Sequence, residues 1–425
     1  MKDLLIKDVR IVDPSQGLDR TGFIYIKDGK IAALDGDMPQ CENVIDGRNL
    51  TAAPGLVDMH VHLRDPGQIQ KEDIITGCNA AAAGGVTSLL AMPNTSPVAD
   101  NGETVEYILK KAENAKARVY VAASITKGLK GSLQSDIEEL KCAGATALSD
   151  DGRPVENSEF LRQAMKSAQK YNMTVVSHCE DLYLAKGGKI NEGRISKQLG
   201  IKGIPAAAED CGTAREIALA AAENLPIHIC HVSTSTSVDL IRDAKNRGVK
   251  VTAETAPHYF TLTEEELLKK DADYRMNPPL RTEEDRLAII RGLKDGTIDC
   301  IATDHAPHTP QEKADFLTAP NGSIGMETSL SAGITALVST GQLTINQLIE
   351  KMSLNPARIL KLNAGTLKVG ARGDVVIFDI DEKWTVDTER LHGKSKNTPF
   401  KNMTLQGRVK YTVKDGEIVY SDDNI

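Results

Sequence analysis

The feature that most constrains this chain is an alternation that fills its middle. Short apolar runs occur at 55–62 (GLVDMHVH), 86–92 (VTSLLAM), 118–124 (RVYVAAS), 145–149 (ATALS), 173–178 (MTVVSH), 226–232 (PIHICHV), 249–254 (VKVTAE) and 298–304 (IDCIATD). Longer amphipathic segments separate them, at 72–83, 102–115, 133–143, 157–171, 208–224, 236–247 and 283–295, with another near 344–354. Short apolar runs bounded by polar segments read as strands covered on both faces, and the segments between them carry helical periodicity. Three helices also carry start signals: Asp100-Asn101 before the second, Ser235 as the cap of the sixth, and Thr282 three residues before Asp285. Eight alternating βα units over roughly 300 residues fit a (β/α)8 TIM barrel better than an open sheet.

The two ends of the chain have a different rhythm. Residues 1–52 and 366–425 alternate apolar and polar positions, and the related pieces KDGKI and KDGEI each place an Asp-Gly turn between strands. Neither end alone has enough strands to close a core, so the two together are expected to form one small β-sandwich flanking a barrel at 53–365.

Net charge is −8 and pI about 5.7. That disfavours nucleic acid or an anionic membrane as the main partner, because phosphate binding leans on clustered Lys and Arg. No leader peptide or transmembrane run is expected. The seven cysteines, an odd number without CxxC spacing, read as reduced thiols buried as small hydrophobes in a cytoplasmic protein.

Barrel enzymes place their chemistry at the C-terminal ends of the strands. Six of the nine histidines fall at or just past such ends: His60, His62, His178, His231, His305 and His308. His60 and His62 are two residues apart, so both point to the same side of their strand, into the packed interior. Imidazoles there need partners for their ring nitrogens. With His178, His231 and the carboxylate of Asp304 at three other strand ends, a metal site is the expected solution, and this ligand set suits zinc, with manganese or cobalt as substitutes. Four histidines and one aspartate suffice for two ions if a sixth group bridges them. Asp151, at the end of the fourth strand, is the candidate, and Asp150 its rival. Of the remaining histidines, His305 is expected to support the ligands, His258 to support the barrel rim, His228 to face the helices and His392 to lie on the surface.

The segments DMHVHLRDPG, AMPNT, SDDG, SHCED, CHVST, MNPPLR and TDHAPH occur in an order and spacing that resemble the bacterial type I dihydroorotases of the amidohydrolase superfamily. The resemblance covers essentially the whole chain. It implies that His60, His62 and Asp304 hold one zinc, that His178 and His231 hold a second, and that Asp151 bridges them together with a hydroxide. Many relatives bridge instead through a carboxylated lysine on the fourth strand, but GATALSDDG has no lysine there. It further implies that Arg64, Asn94 and His308 grip a substrate carboxylate, that His62 also faces the substrate, and that Asn277 meets the pyrimidine ring. The backbone at Asn321–Gly322, in the charged loop 309–323, should touch the substrate as well. Asn321 and Asp65 depart from the usual aromatic and Glu of that family.

The implied reaction is the reversible interconversion of N-carbamoyl-L-aspartate and L-dihydroorotate in pyrimidine biosynthesis. Asp304 acts as general base and acid, and a hydroxide formed from metal-bound water of lowered pKa acts as nucleophile. A homodimer and an association with aspartate transcarbamoylase come with the resemblance. The rivals are other cyclic amidohydrolases (hydantoinase, dihydropyrimidinase, allantoinase) and a non-catalytic scaffold. The first group has less need of an arginine beside the metal histidines, and a scaffold would be expected to have lost ligands.

Overall fold

A computed structural model describes residues 3–422. Eight parallel strands form one sheet in chain order: β1 (Leu56–Val61), β2 (Val86–Ala91), β3 (Arg118–Ala123), β4 (Ala147–Leu148), β5 (Thr174–Ser177), β6 (Ile227–Ile229), β7 (Val251–Thr255) and β8 (Cys300–Ile301). The cylinder closes at its C-terminal rim, where Val61 bridges His305 in parallel and the His62 amide donates to the His305 carbonyl at 2.8 Å. Met59, Leu90, Met92, Ala122, Ala147, Val176, Cys230, Cys300 and Ala302, drawn from seven of the eight strands or the residues that follow them, pack as the interior cluster. A larger cluster, including Leu56, Val61, Leu89, Val121, Leu148, Val175 and Ile229, fills the space between strands and helices. A register shift between Asp58 and Val61 lets Met59 join the interior cluster while His60 also faces inward.

The helices lie where the amphipathic segments lie, most with ends trimmed by one to four residues, for example Ile74–Ala83, Gly102–Lys111, Ile137–Cys142 and Ser158–Lys170. Asn101 caps the second, and Thr282 forms a capping box with Asp285. The sixth is capped by Thr234 rather than Ser235. Thr234 is the extended residue whose side chain accepts from the Ser237 amide, and Ser235 is already the first helical position. The 344–354 segment begins as the helix Ile345–Ile349 and continues through a π-helical stretch, Glu350–Leu354.

The terminal strands hydrogen-bond into one continuous eight-stranded sheet. Thr51–Pro54 is its seam, parallel to Leu4–Asp13 on one side and antiparallel to Val375–Thr385 on the other. Its core, which includes Ile6, Ile11, Ile24, Ile26, Val375, Ile377 and Val413, is separate from that of the barrel. Both Asp-Gly turns take the left-handed backbone that links hairpin strands, Asp28-Gly29 at φ 49° and 73° and Asp415-Gly416 at 49° and 79°. Between Val375–Thr385 and Thr404–Lys414 the chain leaves this sheet and runs to the barrel rim, where Ser395 Oγ donates to the Lys71 carbonyl at 2.7 Å.

Candidate metal centre and substrate mouth

The strand ends bring His60, His62, Asp151, His178, His231 and Asp304 to one mouth of the barrel, all buried. His60 Nε2 lies 3.3 Å from Asp151 Oδ1 and 3.7 Å from Asp304 Oδ1. His62 Nε2 lies 3.1 Å from Asp304 Oδ1 and 3.4 Å from Asp151 Oδ2. On the other side of Asp151, His178 Nδ1 and His231 Nε2 approach its Oδ1 to 3.4 and 3.6 Å and each other to 2.8 Å. Two overlapping triads result, His60–His62–Asp151 and Asp151–His178–His231, with the Asp151 carboxylate common to both.

These donors fit divalent cations. His60 Nε2 and Asp151 Oδ1 are fully buried and have no hydrogen-bond partner, although they face each other. Burial resists the charge on Asp151, but the imidazoles of His60, His178 and His231 around it hold its carboxyl well below the usual carboxylate range. Burial likewise opposes charge on Asp304, and His62 and His60 nevertheless keep it ionised. Buried, ionised carboxylates facing convergent imidazole nitrogens are the donor set of a metal centre.

Partners on the outer side fix the imidazoles of His60 and His62. His60 Nδ1–H donates to Glu254 Oε1 at 2.8 Å, and His62 Nδ1–H donates to Asn94 Oδ1 at 2.8 Å, which leaves each Nε2 lone pair facing the centre. Glu254, at the end of β7, is fully buried, and its second oxygen lies 3.3 Å from His228 Nε2. His228 therefore faces the interior, contrary to the sequence expectation. β6 is only three residues long, and the chain then turns at His231 (φ 36°), so parity does not carry from 228 to 231. Arg64 (φ 61°) and Asp304 (φ 49°) are also left-handed, so three side chains at this mouth are aimed by strained backbone.

Asp150 points elsewhere. Its carboxylate accepts from Ser124 Oγ, the Ile125 and Thr126 amides and Thr126 Oγ1, anchoring the loop after β3. Asp65 is likewise occupied, by Lys111 Nζ at 2.6 Å, Tyr107 and the Ile74 amide.

Beside the carboxylates, the Arg64 guanidinium is 9% exposed and turned inward. Its Nε donates to the Pro307 carbonyl at 3.2 Å, and Nη2 lies 3.4 Å from His308 Nε2. Burial together with the positive charge of Arg64 pushes His308 down to about 3, so it is neutral, and its Nε2–H donates to the Asn321 carbonyl at 2.9 Å. Gly322 follows at φ 133°; a Cβ there would meet Ala306 Cβ at 2.8 Å and His308 Nε2 at 3.1 Å. Asn277 Nδ2 donates to Glu180 Oε1 at 3.2 Å, while its Oδ1 is buried without a partner. The other Glu180 oxygen lies 3.4 Å from His178 Nε2. His305 serves the barrel seam and accepts from the Gly325 amide. His258 is buried and pushed by that burial down to about 4, and His392 pairs with Glu327 at the surface.

Sequence reasoning did not single out Glu254, Glu180 or Asn397. Glu254 ends a run that reads as a strand, so the strand-end rule would have reached it, and Glu180 lies within the SHCED segment. Nothing in the sequence marks Asn397. It sits in the excursion from the terminal sheet, and its Oδ1 accepts from the His308 amide at 3.1 Å while Nδ2 donates to the carbonyls of Gly322 (3.1 Å) and Ala306 (3.3 Å).

The amidohydrolase family profile matches residues 51–419. The chain belongs to the amidohydrolase family. It is 51% identical over 422 residues to a dihydroorotase of Geobacter sp. (strain M21), covering 98% of this chain and 99% of that one. A dihydroorotase of Acetivibrio thermocellus is 49% identical over 419 residues, covering 98% of each chain. Among solved structures, the L-hydantoinase (dihydropyrimidinase) of Arthrobacter aurescens superposes with a TM-score of 0.88 at 26% identity, over 99% of this chain and 96% of that one. The dihydropyrimidinase of Brevibacillus agri gives 0.85 at 26%, over 99% and 95%. The amidohydrolase family is metal-dependent, and among the described residues three clusters could hold metal: the two triads and a third group of His60, Cys230 and Glu254.

Proposed function

We propose that this amidohydrolase is a dihydroorotase, interconverting L-dihydroorotate and N-carbamoyl-L-aspartate. The observation that carries the reading is a buried arginine, Arg64, two residues beyond the second metal-facing histidine, with its guanidinium held at the same mouth as Asp304. A ring substrate bearing a free carboxylate needs such a group, and neutral hydantoins do not.

His60, His62 and Asp304 would hold one divalent cation, and His178 and His231 another, with Asp151 between them; zinc is the metal these ligands favour. When bound, such cations supply an acidified water at neutral pH and a Lewis acid for the amide carbonyl. The chain does the rest. Arg64 pairs with the ring carboxylate, with the Asn94 amide group and His308 beside it, and the unpartnered Asn277 Oδ1 can accept a ring N–H. In hydrolysis a C–O bond forms at the ring carbonyl and the C–N bond breaks. Asp304 accepts the proton that the attacking water loses and delivers it to the departing ring nitrogen; cyclisation runs the same transfers backwards.

The same reading carries a cytoplasmic location, a homodimer and an association with aspartate transcarbamoylase, each open to co-purification and sedimentation measurements. No helix among the described residues is long and apolar enough to cross a membrane. Turnover of dihydroorotate, hydantoin and allantoin measured side by side tests the activity. Preference for hydantoin, towards which the fold similarity leans, would overturn it, and a preparation that binds no metal would favour a scaffold.

A further inference from the structure

Lys313 is a buried ammonium that the mechanism does not use. Only 9% of it is exposed, and it forms no ion pair among the described residues. The nearby Asp271 and Asp273 are both taken by Lys401, at 2.6 and 2.9 Å. Lys313 Nζ donates instead to three carbonyls: Ala272 at 2.9 Å, Pro320 at 3.0 Å and Arg275 at 3.2 Å. Burial pushes it down to about 8, so it keeps its charge at neutral pH. Holding an unpaired cation in the interior is costly unless every donor is met, and three carbonyls meet all three.

The three carbonyls belong to two segments. Ala272 and Arg275 precede Asn277, and Pro320 precedes Asn321–Gly322. Further bonds stitch the same seam: the Gly322 amide to the Arg275 carbonyl (2.9 Å), Arg275 Nη1 to the Phe316 carbonyl (2.7 Å) and Arg275 Nη2 to Asn321 Oδ1 (3.1 Å). We propose that Lys313 is a positioning residue that pins the Asn277 segment and the Asn321–Gly322 loop into one unit, so that substrate meets both together. The inference rests on the dihydroorotase reading for its substrate. Lys313 touches none of the metal-facing side chains, so its loss should weaken binding in ground and transition states alike, raising KM and leaving kcat in place.

The test compares wild type, Lys313→Met and Lys313→Gln as metal-loaded enzymes. Methionine keeps the length without donors, and glutamine keeps two donors if methionine prevents folding. Lys189→Met is the control: Lys189 Nζ also bonds this loop, at the Leu317 carbonyl, but on its exposed side. KM for dihydroorotate should rise about tenfold or more in Lys313→Met and less in Lys313→Gln, with kcat within about twofold and the control unchanged. Amide hydrogen exchange should accelerate in 272–277 and 309–323 together, with metal content unaltered. An unchanged KM, a fall in kcat alone, or exchange that rises in only one segment overturns the proposal. If wild type does not turn over dihydroorotate, the activity reading fails, and the exchange data still decide whether the pin exists.

Discussion

Replacing Glu254 isolates how far the outer partners of the imidazoles set metal affinity. Its carboxylate is fully buried between His60 Nδ1 (2.8 Å) and His228 Nε2 (3.3 Å). Burial opposes its ionisation, yet His228 and His60 hold it well below the usual carboxylate range. Glu254→Gln keeps the shape and one acceptor but exchanges a charge-assisted bond to His60 (~1.5–3 kcal/mol) for a neutral one (~0.5–1.5 kcal/mol). The loss of roughly 1–1.5 kcal/mol corresponds to about a tenfold weaker first metal. Glu254→Ala leaves the His60 Nδ1–H with no acceptor and frees the ring to rotate, which adds a desolvation penalty of ~1–3 kcal/mol and brings the loss to about a hundredfold. Chelator competition on zinc-loaded protein, with metal read by elemental analysis and folding by circular dichroism, measures both. The expected order is wild type, Gln, Ala. An alanine variant that competes with chelator as well as wild type would refute the claim that Glu254 orients His60.

Arg64→Met should raise KM for dihydroorotate by about 10- to 100-fold, the worth of one charge-assisted contact, with a smaller effect on kcat; steady-state kinetics check it. Asp304→Asn should abolish turnover while circular dichroism shows an intact barrel, and near-wild-type turnover would reject its proton-transfer role. Asp150→Ala and Asp151→Ala should separate two adjacent aspartates. The first strips the Ile125 and Thr126 amides and Thr126 Oγ1 of their acceptor and lowers the melting temperature, whereas the second loses metal with little thermal penalty. Asn397→Ala leaves the buried His308 amide unpaired, so KM should rise without loss of metal.

The barrel was legible because its strands are short, apolar and separated by helices with recognisable starts. The histidines at strand ends were legible for the same reason: an imidazole that closes a fully buried run must find a polar partner, and the barrel mouth is where such partners converge. Two kinds of information were out of reach. One is local irregularity, seen where the three-residue β6 breaks the parity that should have placed His228, and where the cap moves from Ser235 to Thr234. The other is contact across long sequence separations. The excursion bearing Asn397 reads as part of a peripheral sheet, and Lys313 reads as one charge in a polar loop, because a side chain that bonds only to carbonyls leaves no pattern in the sequence.

The reach of Asn397 into the mouth has a consequence for how the molecule matures. Asn397 stands 89 residues beyond His308, after every group that faces the candidate metal centre has already been synthesised. A nascent chain emerging in order presents a complete set of imidazoles and carboxylates before it has the residue that ties His308 to Gly322. The groups that face the centre are thus complete in the chain before the excursion that carries Asn397, which is the last part of the mouth to be synthesised.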